Sequence, residues 1–178
     1  MAEIATENLP DGLNLPSDCG LLQGRFAGRL AFAEVVRAAF AVAAQHGWRE
    51  LLLSDVDFAD WPIGECAVVR SLHDWARSGR QLTLIAATYD EVRRRHPRFT
   101  AWRQTWSHLV TCRIVRKSAL GELPSAIWSP QWALRRLDPV WSCGVAGSEP
   151  ARRALLRERL MAHLHNSAPG FAPTALGL

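Results

Sequence analysis

Lysine is nearly missing from these 178 residues: of 21 basic side chains 20 are arginine, and the exception is Lys117. Chemistry that needs an ammonium, as a Schiff base or as a phosphate ligand, is thereby removed from almost the whole chain. Long apolar runs are missing too, and none approaches the roughly 20 residues that cross a bilayer, so no membrane span is expected. The opening MAEIATENLPDGLNLPSDCG has no basic residue ahead of an apolar core. It does not read as a secretory signal, and the expected location is cytoplasmic. The four cysteines, Cys19, Cys66, Cys112 and Cys143, form no C-x-x-C pair, and their spacings of 47, 46 and 31 residues fit no zinc ribbon or finger. Free buried thiols are the expectation. A glycine-rich phosphate loop of standard spacing is absent as well. No cofactor is expected.

What is present is an ordinary globular composition, 48% hydrophobic and 21% charged, in a length that suits one domain. The net charge of +4 with a pI near 9.3 favours polyanionic partners. The arginine skew and high alanine content also fit a bias in overall composition.

Residues 1–27 mix proline, glycine, asparagine and aspartate and are expected to form a loose arm. Phe32, Val35, Val36, Ala39, Phe40 and Ala43 recur at helical spacing, and Gly47 stands where a C-terminal cap belongs. RELLLSDVDF then reads as a buried strand. Pro62 and Gly64 precede a second helix with Ala67, Val68, Leu72 and Trp75 on its stripe, and QLTLIAAT reads as a strand buried on both faces. Asp90 can cap a third helix to about Val110, with a kink or break near His96 because Pro97 follows. TCRIVR is a third strand. AIWSPQWALRRLD and PVWSCGVAG read as two more in a hairpin-like return. Ser148 and Pro150 open a last helix carrying Leu155, Leu156, Leu160 and Leu164. The sum is an α/β layered domain over residues 28–167, about five strands with helices on both faces, and a loose tail over 168–178.

The order of FAEVVRAAFAVAAQHGWRELLLSDVDF, VVRSLHDWARSGRQLTLIA and SEPARRALLRERLMAHLHNS resembles one half of a phospholipase D-like fold. It is similar to short proteobacterial proteins of that type. Catalytic members carry His-x-Lys with an aspartate further on. Here Val115 stands two positions before Lys117, so the motif is absent. The resemblance therefore implies a degenerate, non-catalytic member, and, because active members bring two halves together, a homodimer. LLLSDVDFADWPIGECAVVRSLHDWARSGRQLTLI is also similar to the STAS type of interaction domain, although its loop ADWPIGECA lacks the serine that family phosphorylates.

Two sets of residues carry candidate chemistry. Asp55 and Asp57, at the end of an apolar strand, resemble the Asp-x-Asp of haloacid-dehalogenase-like Mg²⁺-dependent phosphohydrolases, where the first aspartate is the nucleophile and the second the acid/base. Phe58 and Ala59 depart from that pattern, and a loop in which Asp55, Asp57 and Asp60 cap backbone amides is the competing account. The second set is basic: Arg93, Arg94, Arg98, Arg103, Arg116 and Lys117, with Arg95 and Arg113 between them and no acidic residue from Arg93 to Lys117. Interleaved with Trp102 and Trp106, they would suit nucleic acid or another phosphate-bearing ligand, charge for the backbone and rings for stacking. An amphipathic helix with Phe99, Trp102 and Trp106 in the core and arginine in solvent explains the same pattern. His108 and Cys112 are four apart but straddle a helix-to-strand transition, so no metal site is expected. The eight tryptophans fit either an aromatic core or, at Trp61, Trp128, Trp132 and Trp141, an interface.

Overall fold

The computed structural model describes residues 20–78, 80–116 and 123–172. The chain enters as a short strand, β1 (Gly24–Phe26), and helix α1 (Arg29–Gln45), which buries Phe32, Val36, Ala39, Phe40 and Ala43 on one stripe. Gly47 ends the helix with φ 65, a left-handed conformation that favours glycine. Strand β2 (Glu50–Ser54), a 3₁₀ turn at Pro62–Gly64, helix α2 (Cys66–Ala76) and strand β3 (Gln81–Ala86) follow.

The third helix is broken where Pro97 predicts. It is two helices, α3 (Asp90–Arg95) and α4 (Pro97–Thr105), with His96 non-helical between them. Helical structure stops at Thr105, short of the expected Val110, because strand β4 (Val110–Val115) already starts there. The remaining elements are β5 (Ser125–Trp128), β6 (Ala133–Asp138), β7 (Cys143–Gly147), α5 (Pro150–His165) and β8 (Ser167–Pro169).

The sheet holds eight strands, not about five, in the order β1-β7-β6-β5-β2-β3-β4-β8. β2, β3 and β4 are parallel, and all other pairings are antiparallel. The three additional strands have identifiable causes. AIWSPQWALRRLD is a hairpin in itself: the Ser129 hydroxyl accepts the amides of Gln131 and Trp132 and donates to the Trp132 carbonyl, folding the chain between β5 and β6. β1 lies within the expected N-terminal arm, its residues 24–26 paired with β7; residues 1–19 are outside the described part. β8 lies at the start of the expected loose tail. Arg113 holds it by donating from Nε to the Ser167 hydroxyl (2.9 Å), and Phe171 beyond it is 5% exposed.

Alternation along the strands sends successive side chains to opposite layers. Leu51, Leu53, Leu82, Leu84, Ile127 and Leu134 join the core under α1, α2 and α4. Leu52, Ile85, Ala126, Trp128 and Ala133 join Leu156 and Leu160 of α5 on the other side. Trp61, Trp128 and Trp132 are buried, and Trp141 is 73% exposed. The segment whose sequence is similar to STAS-type domains folds as β2, α2 and β3. Among the described residues, no helix is long and apolar enough to cross a membrane.

Candidate functional site

The C-terminal ends of β2, β3 and β4 lie at one end of the sheet, which is where open α/β sheets keep their ligands. Asp55 directly follows β2 there, and its two carboxylate oxygens are fully engaged. Oδ1 accepts the backbone amides of Asp57 (3.2 Å) and Phe58 (3.0 Å). Oδ2 accepts the Ser125 hydroxyl (2.5 Å) and Arg136 Nη2 (2.8 Å). Arg136 also donates from Nε to Ser125 Oγ (2.9 Å) and from Nη1 to Asp60 Oδ2 (2.7 Å), and its guanidinium lies 4.4 Å from the Phe32 ring centre. Ser125 and Arg136 are cross-strand partners on β5 and β6. The network thus ties β2, β5 and β6 together beneath α1.

A nucleophilic carboxylate needs an oxygen with a free lone pair facing substrate. Asp55 is 4% exposed and spends both oxygens on four donors. Asp57 turns its Oδ1 onto the amide of Ala59 (2.9 Å). The capping account of this loop therefore fits the geometry, and the Asp-x-Asp nucleophile does not. The loop is fixed further by Phe58, which takes a left-handed φ of 57 and whose carbonyl is 2.9 Å from His96 Nε2. Burial pushes the His96 imidazole below its ordinary range, so the ring is neutral and donates.

The basic segment is divided by the fold. Arg93 pairs with Asp90 (3.1 Å), and Arg94 and Arg95 share Glu91 (2.6 Å each), all on the exposed surface of α3. Such exposed, solvent-screened pairs are weak, and they leave guanidinium donors facing solvent. Arg98 and Arg116 are exposed and make no ion pair among the described residues. Arg103 is buried instead, donating from Nε to Cys112 Sγ (3.0 Å) and from Nη2 to the Phe171 carbonyl. Phe171 in turn lies 4.3 Å from the Arg103 guanidinium and 4.8 Å from that of Arg93. Arg103 thus supports the surface from below and is not part of it. Lys117 lies outside the described residues. Phe99 and Trp102 are core, as the helical spacing suggests, and Trp106 is half-buried. Burial pushes the Cys112 thiol up, against the pull of Arg103. Among the described residues, no group of three or more metal-ligating side chains occurs.

Sequence reasoning missed Ser125 and Arg136. Arg136 did carry a signal: in ALRRLD it shares a strand face with Leu134, and an inward-facing arginine demands a buried carboxylate. Ser125 carried none.

No protein-family model matches the sequence, and no curated protein matches it. Solved structures do. TrmBL2, an archaeal chromatin protein whose structure shows a novel mode of DNA binding, is similar over 90% of this chain with a TM-score of 0.62 and 10% identity. This chain spans 57% of that protein's length. Nuc from Salmonella typhimurium, a phospholipase D family member, is similar over 83% of this chain and 98% of its own, with a TM-score of 0.54 and 7% identity. The likeness to Nuc supports a phospholipase D-like fold.

Proposed function

We propose that this chain is a non-catalytic phospholipase D-like domain that binds a phosphate-bearing polymer, single-stranded nucleic acid foremost, across the exposed arginines of α3 and α4. One observation carries the reading: Arg93, Arg94, Arg95 and Arg98 are all exposed within six residues, and the acids from Asp90 to Arg116 are Asp90 and Glu91 alone. Arg116 leaves β4 at the sheet end from which the chain enters α3, and Lys117 follows it in sequence. A polyanion would exchange the surface pairs with Asp90 and Glu91 for phosphate contacts and gain from counterion release. The likeness to a chromatin protein with a described mode of DNA binding is compatible with this reading. The non-catalytic part rests on the missing His-x-Lys motif and on the consumed Asp55 carboxylate.

The test is fluorescence anisotropy with a labelled single-stranded oligonucleotide at low salt. Binding by the native chain, lost in Arg94→Glu/Arg98→Glu, supports the proposal, together with an uncut oligonucleotide after prolonged incubation. Undiminished binding by the double variant sinks it.

A homodimer is the second part of the proposal. Val56, Val140 and Trp141 leave the sheet at the Asp55 end while 45%, 75% and 73% exposed, and Leu30 beside β1 is 81% exposed. Apolar side chains grouped at one end suit a second copy of the chain. Light scattering should give twice 19.8 kDa, reverting to the single mass in Trp141→Glu. A concentration-independent single mass for the native chain rejects the dimer.

A further inference from the structure

On the opposite layer, a groove of about 220 Å³ runs between the β6–β7 hairpin and α5. Its floor is apolar. Val145 is the cross-strand partner of Arg135, and Leu137 and Leu155 line the groove while 57% and 50% exposed. Arg152, Leu155, Leu156 and Arg159 fall on one stripe of α5, at the three- and four-residue steps that share a helix face. Arg135 reaches the same groove from β6, so three guanidinium groups border one apolar trough.

Their partners are unequal. Arg152 is paired with Glu149 at 2.8 Å. The side chains of Arg135, half-buried, and Arg159 make no hydrogen bond or ion pair among the described residues. Burial lowers the proton affinity of Arg135, and the neighbouring Arg159 charge lowers it further. Arginine does not escape by deprotonation. Two like charges beside an apolar wall thus have no protein counter-charge among the described residues, and the fork geometry of guanidinium suits a carboxylate or phosphate.

We propose that this groove binds a small amphiphilic anion, its carboxylate or phosphate head between Arg135 and Arg159 and a short apolar body against Leu137, Val145 and Leu155. The volume is below that of the usual pockets for drug-sized ligands, so the body is a short chain or a single ring. The site is separate from the arginines of α3 and α4 and does not depend on their binding nucleic acid.

The experiment is an amide NMR titration of the full chain with octanoate, octyl phosphate, 1-octanol and inorganic phosphate. The proposal predicts saturable shifts at Val145, Gly147 and the first turns of α5. It also predicts that the better of the two amphiphilic anions binds at least tenfold more tightly than 1-octanol or phosphate. Preference between octanoate and octyl phosphate assigns the head group. Arg159→Gln, on an exposed position, should weaken binding at least tenfold without moving the rest of the spectrum, and Arg135→Gln should do the same. The proposal is overturned if 1-octanol binds as well as either anion, if no saturable shift occurs at these amides by millimolar concentrations, or if Arg159→Gln binds like the native chain.

Discussion

Arg136 donates to Asp55 at 2.8 Å with their side chains only 3% and 5% exposed, which makes this pair the most deeply buried ionic contact found among the described residues. A buried pair is poor evidence for net stability, but removing one member strands the other charge. Arg136→Met should cost about 3 to 5 kcal/mol in urea unfolding. Asp55→Asn/Arg136→Met should recover part of that loss. Losses below about 1 kcal/mol for the single change, or strict additivity in the cycle, would show that the contact is not coupled as drawn.

His96 gives a dependence on pH with a definite sign. Its folded-state affinity for a proton lies below the ordinary value of 6.5, chiefly through burial, so the unfolded chain takes up the proton first. Stability attached to this group is fully present above about pH 6.5 and is lost as pH falls through the lower folded-state value. Melting temperatures measured from pH 8 to pH 5 should decline in the native chain. His96→Gln should be less stable throughout but show a shallower decline. Parallel curves would remove His96 from the account.

Cys112 and Cys66 should differ in reactivity. Cys112 is buried and its thiol is pushed up, whereas Cys66 is exposed. Since the thiolate is the nucleophile, iodoacetamide at pH 8 should label Cys66 well before Cys112 under native conditions. Arg103→Gln should leave Cys112 slow if burial governs it. Comparable labelling of both thiols in peptide maps would contradict the packing of α4 on β4.

Much of the fold was legible because its signals are local. Stripes such as Phe32–Val36–Phe40 and the break before Pro97 depend on neighbours a few residues away. β1 and β8 were not legible, because edge strands of three residues have too little pattern to see and are held by distant partners, Gly144 to Ala146 and Arg113 to Val115. The candidate site was half legible. The carboxylates of Asp55 and Asp60 stood out after an apolar run, but their consumption by Ser125 and Arg136 requires contacts 70 to 81 residues apart. The basic segment misled for a related reason. Arg103 and Arg98 look alike in sequence, yet one carries the core and the other faces water.

The central claim is that the α3–α4 arginines meet phosphates, and the salt dependence of single-stranded DNA binding tests it most directly. A plot of log affinity against log salt concentration should be linear, and its slope should shallow by about 0.7 for each contact removed. Arg94→Gln and Arg98→Gln should each produce that change, and the pair should produce about twice as much. Lines for the native chain and the double variant that run parallel and coincide would contradict the account.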